Sequence, residues 1–136
     1  EKKLKNMVKV YKLENKVNFF GHISHDKIVP YYQKLSIFVC PSLRESFGVS
    51  VIEASASAVP VIANNIGGLK EVVQNNKTGY LLDTTNSEKL ADHLEKLIMN
   101  DDLRFNLGQN GREFVKQNFN WDANVTKMLS VYKKVD

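Results

Sequence analysis

The sequence has a single cysteine, no apolar run long enough to cross a bilayer and no Asp-x-Asp pair. With Cys40 alone, no intramolecular disulfide closes and no second thiol is there to share a metal. The expected compartment is therefore a reducing one, the cytoplasm. No segment approaches the roughly 20 apolar residues of a membrane span. The opening stretch, EKKLKNMVKVYKLENK, holds no hydrophobic block of the signal-peptide kind. Internal repeats, low-complexity tracts and an interdomain linker are also missing, and the balance of hydrophobic and charged residues excludes disorder, collagen and coiled coil as descriptions of the whole chain.

What is present is ordinary for a globular domain: 136 residues, 43% of them hydrophobic and 25% charged. A chain of this length has room for one domain, and it can bury roughly 65–70% of its unfolded surface, enough for a core without covalent staples. Nineteen basic residues against fifteen acidic leave a net charge of +4. Residues 1–16 account for all of it, with Lys2, Lys3, Lys5, Lys9, Lys12 and Lys16 against Glu1 and Glu14. No basic stripe runs through the rest and no basic motif is interleaved with aromatics, so a nucleic-acid partner is not expected.

Hydrophobic periodicity sketches the elements. Leu4, Met7, Val8 and Tyr11 fall at helical spacing with lysines opposite, an amphipathic helix whose apolar stripe is expected to cover a sheet. A basic helix of this kind also admits contact with an anionic membrane surface. Val17, Asn18, Phe19 and Phe20 form a β-prone run stopped by Gly21, and residues 35–40 (LSIFVC) a longer one stopped by Pro41. Between them Ser24 can cap a short helix, with Pro30 in its first turn or kinking it. From Gly48 to Ala58 the pattern fits a strand and a helix equally. A third strand is expected over residues 59–63 and a short helix over 69–73, opened by Gly67 and Gly68. A fourth strand follows over residues 78–82. Ser87 is placed to cap a helix striped by Leu90, Ala91, Leu94, Leu97 and Ile98. Another helix starts at Asp101 or Asp102 and ends near Asn118, and a last one runs from Trp121 through Val125, Met128, Leu129 and Tyr132. Strands alternating with helices imply an α/β fold, a Rossmann-like parallel sheet with helices on both faces. In such a sheet ligands sit beyond the carboxyl ends of the strands.

Beyond the second expected strand lies PSLRESFGVSVIEA, with Glu45 in a loop and Glu53 inside an apolar segment. Two glutamates eight positions apart are common on solvated surfaces. Placement sets this pair apart, because a glutamate among Val51, Ile52, Ala54 and Ala56 costs several kcal/mol if buried without a partner. His22 and His25 have metal-like spacing but lack a third ligand, and read as surface histidines. Cys40 reads as a small packed hydrophobe.

The segment resembles the E-x7-E signature of retaining, nucleotide-sugar-dependent glycosyltransferases of the GT-B architecture, the group 1 or GT4-like class. VNFFGHIS before it, then VPVIANNIGGLKEVV, NKTGYLLD and GREFVKQNFNW follow in that family's order, from Val17 onward. The resemblance implies that residues 48–58 are helical. It implies that Glu45 is the catalytic residue, lying against the donor sugar near its anomeric centre, and that Glu53 accepts hydrogen bonds from the nucleotide ribose. Ser46 and the amides of Phe47, Gly48 and Val49 would then face the donor at a helix N-terminus, where a side chain on Gly48 would block close approach. The turn holding Gly21 and Ile23 would border the nucleobase. The implied substrates are a nucleoside diphosphate sugar and a carbohydrate or lipid-linked acceptor, with no cofactor and no metal.

The family's donor domain starts with a β-α-β portion bearing a glycine-rich turn and an Arg/Lys pair, and neither occurs here. Residues 1–136 are accordingly expected to be the later, incomplete part of the C-terminal donor-binding domain, truncated from a GT-B fold and lacking the N-terminal acceptor domain. Alone it is expected to be inactive and prone to self-association through uncovered apolar surface. In the intact protein the expected location is cytoplasmic, with peripheral contact at the membrane face. The competing reading is a noncatalytic Rossmann-like binding or interaction module.

Overall fold

The computed structural model describes residues 1–133. Helix α1 (Lys2–Val10) comes first, then a 3-10 turn (His25–Lys27) and the short α2 (Val29–Tyr32). Strand β1 (Phe38–Cys40), α3 (Val49–Ala56), β2 (Val61–Asn64), α4 (Leu69–Val72) and β3 (Gly79–Leu82) alternate, and α5 (Ser87–Ile98), α6 (Asp101–Asn118) and α7 (Trp121–Tyr132) close the chain.

The three strands are parallel, in the order β1-β2-β3. Cys40 stands beside Ala63, and Asn64 beside Leu82. All four residues of the central strand are buried, as a strand covered on both faces requires. On one face Val61 and Ala63 join Val51 and Ala54 of α3 and Leu69 and Val72 of α4. On the other, Ile62, Tyr80 and Leu82 pack with Leu97 of α5 and Leu107 of α6. Ile62, Leu69, Leu97 and Val51 are fully enclosed, each contributing roughly 1.5–3 kcal/mol of burial. Helices on both faces of a parallel sheet are the expected α/β, Rossmann-like arrangement.

Helix boundaries follow local chemistry. The Asn86 side chain accepts from the Lys89 amide at 3.0 Å, so α5 is capped one residue before Ser87. Asn100 does the same for α6, accepting from the Leu103 amide at 2.8 Å. Pro30 lies in the first turn of α2, where its missing N–H costs nothing. The segment from Gly48 to Ala58 is helical over Val49–Ala56, as the resemblance implies and local propensity leaves open. Helix α6 reaches α3 because Gly108 carries no side chain: a Cβ there would stand 2.1 Å from the Ala58 carbonyl oxygen.

Two expectations are corrected. Residues 17–20 form no strand among the described residues. Their β propensity is real, but the sheet ends at β1 and offers this run no neighbour with which to exchange hydrogen bonds. Helix α1 covers no sheet. None of its residues is buried, and its apolar side meets only the following turn, forming a shallow groove with Leu13, Val17 and Phe19.

Candidate functional site

Pro41, which has no amide hydrogen, ends β1, and the chain turns through residues 41–48 at the strand's carboxyl end. Three contacts fix this loop. The Asn64 amide nitrogen donates to the Ser42 carbonyl at 3.1 Å, and the amide of Gly68 donates to the Glu45 carbonyl at 3.2 Å. The Phe47 ring meets Phe119 edge to face at 5.9 Å, tying the loop to the end of α6. Asn64 also accepts from the Thr84 amide at 3.4 Å, so one buried side chain holds the loops after β1 and β3. In that second loop the Asp83 carboxylate accepts from the hydroxyl and the amide of Thr85, which hold it below the usual carboxylate range.

Glu45 turns its carboxylate back on the start of α3. Its Oε1 accepts from the amides of Gly48 at 3.2 Å and Phe47 at 3.4 Å. Gly48 caps the helix with φ of +89°, a left-handed conformation that glycine adopts freely. A Cβ there would lie 2.8 Å from the Leu69 side chain and 3.2 Å from that of Val72. Glycine is thus required here by the backbone and by α4. The next amides, those of Val49 and Ser50, begin the helix and have no carbonyl inside it to bond to.

One turn on, about 6 Å along the axis, Glu53 is three-quarters buried. It has protein partners: the Tyr32 hydroxyl donates to Oε2 at 3.0 Å, and the His25 Nε2 lies 2.9 Å from Oε1. Burial first, and then the bond to this carboxylate, push the Tyr32 hydroxyl up to about 12. His25 is exposed, as expected, but it is not idle. The site residues fall into two groups. Glu45, Ser46, Phe47, Gly48 and Val49 are contiguous at the loop-helix junction. Across the fold, Gly21 turns the chain with φ of +68°, and Ile23 lines an apolar cavity of about 370 Å³ with Phe20, Ile28, Tyr31, Tyr32 and Phe38. Tyr32 joins the groups, lining that cavity while bonding to Glu53. Among the described residues, no three His, Cys, Asp or Glu side chains gather closely enough to hold a metal ion.

Sequence reading misses Tyr32, Asn64 and Phe119. The demand of a buried Glu53 for a partner is legible, whereas the partner lies twenty-one positions away on another helix. Gly67 and Gly68, read as a turn, are also clamps, since their Cβ positions fall 2.5 Å from the Glu45 carbonyl oxygen and 2.2 Å from that of Ser46.

Known proteins share this fold. The chain is 36% identical over 134 residues to an uncharacterized glycosyltransferase, MJ1178, of Methanocaldococcus jannaschii, covering 98% of this chain and 38% of the relative. Among solved structures, the C-terminal domain of a glycosyl transferase group 1 family protein (LpcC) from Francisella tularensis superposes with a TM-score of 0.80. It is 35% identical, over 88% of this chain and 62% of that one. HepE from Anabaena, solved in complex with UDP, superposes with a TM-score of 0.87 at 25% identity, over 96% of this chain and 36% of HepE. The chain thus spans between about a quarter and two fifths of the length of the curated relatives it matches. Residues 1–114 match the pattern described as glycosyl transferases group 1, and the chain belongs to that family.

Proposed function

We propose that this chain forms the donor-binding part of a retaining glycosyltransferase. The intact enzyme moves a sugar from a nucleoside diphosphate sugar to a carbohydrate or lipid-linked acceptor, in polysaccharide or glycolipid synthesis at the cytoplasmic side of the membrane. One observation carries the reading: a carboxylate, Glu45, rests on the amides of Phe47 and Gly48 just ahead of α3 at the carboxyl end of a parallel strand, with Glu53 one turn into that helix. The UDP bound by HepE supports a nucleotide in this crevice.

In this reading the helix N-terminus, with the free amides of Val49 and Ser50, faces the charge that grows on the departing diphosphate, an interaction of roughly 0.3–2 kcal/mol. No step is assigned to a metal ion. Glu45, the catalytic residue, stands beside the anomeric carbon, where a carboxylate favours developing positive charge. Glu53 accepts the ribose hydroxyls. Ser46, Phe47, Gly48 and Val49 shape the approach to the donor, and Gly21 and Ile23 border the base. The acceptor is held outside these residues.

Calorimetry of the full-length protein against UDP, GDP and ADP and their sugars tests the reading. One nucleotide series is expected to bind, and the Glu53→Ala enzyme to lose most of its transfer activity. Near-normal turnover in that variant contradicts the ribose role. The chain produced by itself is expected to self-associate through the exposed Trp121, Met128, Leu129 and Tyr132 of α7, and a concentration-independent monomer in sedimentation counts against that.

A further inference from the structure

A glutamate that recognises a pair of hydroxyls must present its carboxylate in one orientation, yet the side chain has three rotatable bonds whose restriction costs conformational entropy. The two partners of Glu53 differ in how firmly they can impose that orientation. His25 is 87% exposed at its side chain, so its contact at Oε1 faces solvent and is open to exchange. Tyr32 is 7% exposed. Its ring is held edge to face on Phe38 of β1 at 5.7 Å, and it sits on a helix whose first turn contains Pro30. The phenol is therefore anchored to the sheet at one end and to Oε2 of Glu53 at the other.

Resting on the ribose role given to Glu53 above, we propose that Tyr32 is a positioning residue for nucleotide binding: its hydroxyl holds Oε2 inward, so that Oε1, now beside His25, is presented to the ribose hydroxyls. A carboxylate accepts up to about four hydrogen bonds. The bond from Tyr32 therefore leaves capacity for both hydroxyls of a diol, and the histidine is the partner they displace. Tyr32 touches no ligand in this scheme. It acts through Glu53, having ordered the carboxylate before the nucleotide arrives.

The test uses the full-length protein and its Tyr32→Phe variant, which keeps the ring on Phe38 and removes one oxygen. Affinities are measured by calorimetry for whichever of UDP, GDP and ADP binds, and for the 2′,3′-dideoxy form of the same nucleotide. The wild type is expected to prefer the ribonucleotide. Tyr32→Phe is expected to bind it about tenfold more weakly, the scale of one hydrogen bond to a charged group, while binding the dideoxy form as the wild type does. Tyr11→Phe, which alters an exposed tyrosine at the end of α1, outside the cavity that Tyr32 lines, serves as control and is expected to change neither. Equal weakening toward both nucleotides assigns Tyr32 a purely structural role and overturns the proposal. Unchanged ribonucleotide affinity in Tyr32→Phe overturns it as well. A wild type that does not distinguish the two nucleotides removes the ribose role of Glu53 itself, and the proposal with it. Thermal melting of each variant shows that the fold is retained.

Discussion

A Cβ on Gly68 would stand 2.2 Å from the carbonyl oxygen of Ser46 and 2.7 Å from the Phe47 Cα. Gly68 has an ordinary right-handed φ of −63°, so its small size, and not its conformational freedom, is what the position needs. The atoms it would strike are backbone, which does not swing aside as a side-chain tip does. Gly68→Ala must therefore displace either the loop that carries Glu45 or the start of α4.

The expected cost is on the order of 1–3 kcal/mol, the range for overpacking. Gly21→Ala is the informative contrast: φ there is +68°, yet nothing lies within 4 Å of the new Cβ, so only backbone strain of roughly 1 kcal/mol remains. Melting temperatures of the two variants are expected to fall in the order Gly68→Ala lower than Gly21→Ala. The reverse order would mean that the loop does not press on α4 as described. Nucleotide affinity in the full-length protein is expected to fall with Gly68→Ala.

Asn64 joins two loops through one buried amide. Replacing it with leucine removes the donor to Ser42 and the acceptor for Thr84, leaving a partly buried carbonyl and a buried amide without those partners. A destabilisation of about 2–4 kcal/mol is expected, the sum of two modest penalties. Native-state hydrogen exchange gives the more specific measurement, because the Thr84 amide is expected to lose protection more than amides inside α5. Uniform loss of protection would instead point to general loosening of the core.

Much of this arrangement is legible in the sequence. The apolar runs that become β1, β2 and β3, and the stripe of α5, follow from periodicity because each has a sheet or helix to pack on. Residues 17–20 carry the same local signal and form no strand, since strand formation requires a partner that local propensity does not record. The loop-helix junction at Glu45 is legible through its motif. The helical state of residues 49–56 is not a local property: Val49, Val51 and Ile52 favour extension until packing against α4 and β2 decides. The contacts that order the site, Tyr32 to Glu53 and Asn64 to Ser42, span 21 and 22 positions. Separations of that length are set by tertiary packing.

The Tyr32 hydroxyl is pushed from an ordinary value near 10 up to about 12. The folded protein therefore holds this proton more tightly than the unfolded chain. The stability linked to it is fully present below about pH 10, and it is lost as the pH rises from 10 to 12. In an alkaline titration followed by tyrosinate absorbance, the Tyr32 step is expected near pH 12, together with unfolding. That step is expected to be missing in Tyr32→Phe. If the variant retains it, the delayed proton belongs elsewhere.

Glu45 offers the sharpest separation of charge from shape. Its Oε1 accepts two amides at the start of α3, and the carbonyl oxygen of a glutamine at this position can accept the same two. Glu45→Gln therefore keeps the loop closed on the helix while removing the negative charge, and Glu45→Ala removes both. If the carboxylate acts on charge developing at the sugar, its loss acts on the transition state more than on the ground state. Glu45→Gln is then expected to lower kcat by about a hundredfold or more, with nucleotide affinity within about threefold of the wild type. Glu45→Ala is expected to add a loss of affinity as the amides of Phe47 and Gly48 lose their acceptor. A Glu45→Gln enzyme with normal kcat and weakened nucleotide binding would reverse this assignment, making Glu45 a support for the helix end and leaving the reacting centre to other residues.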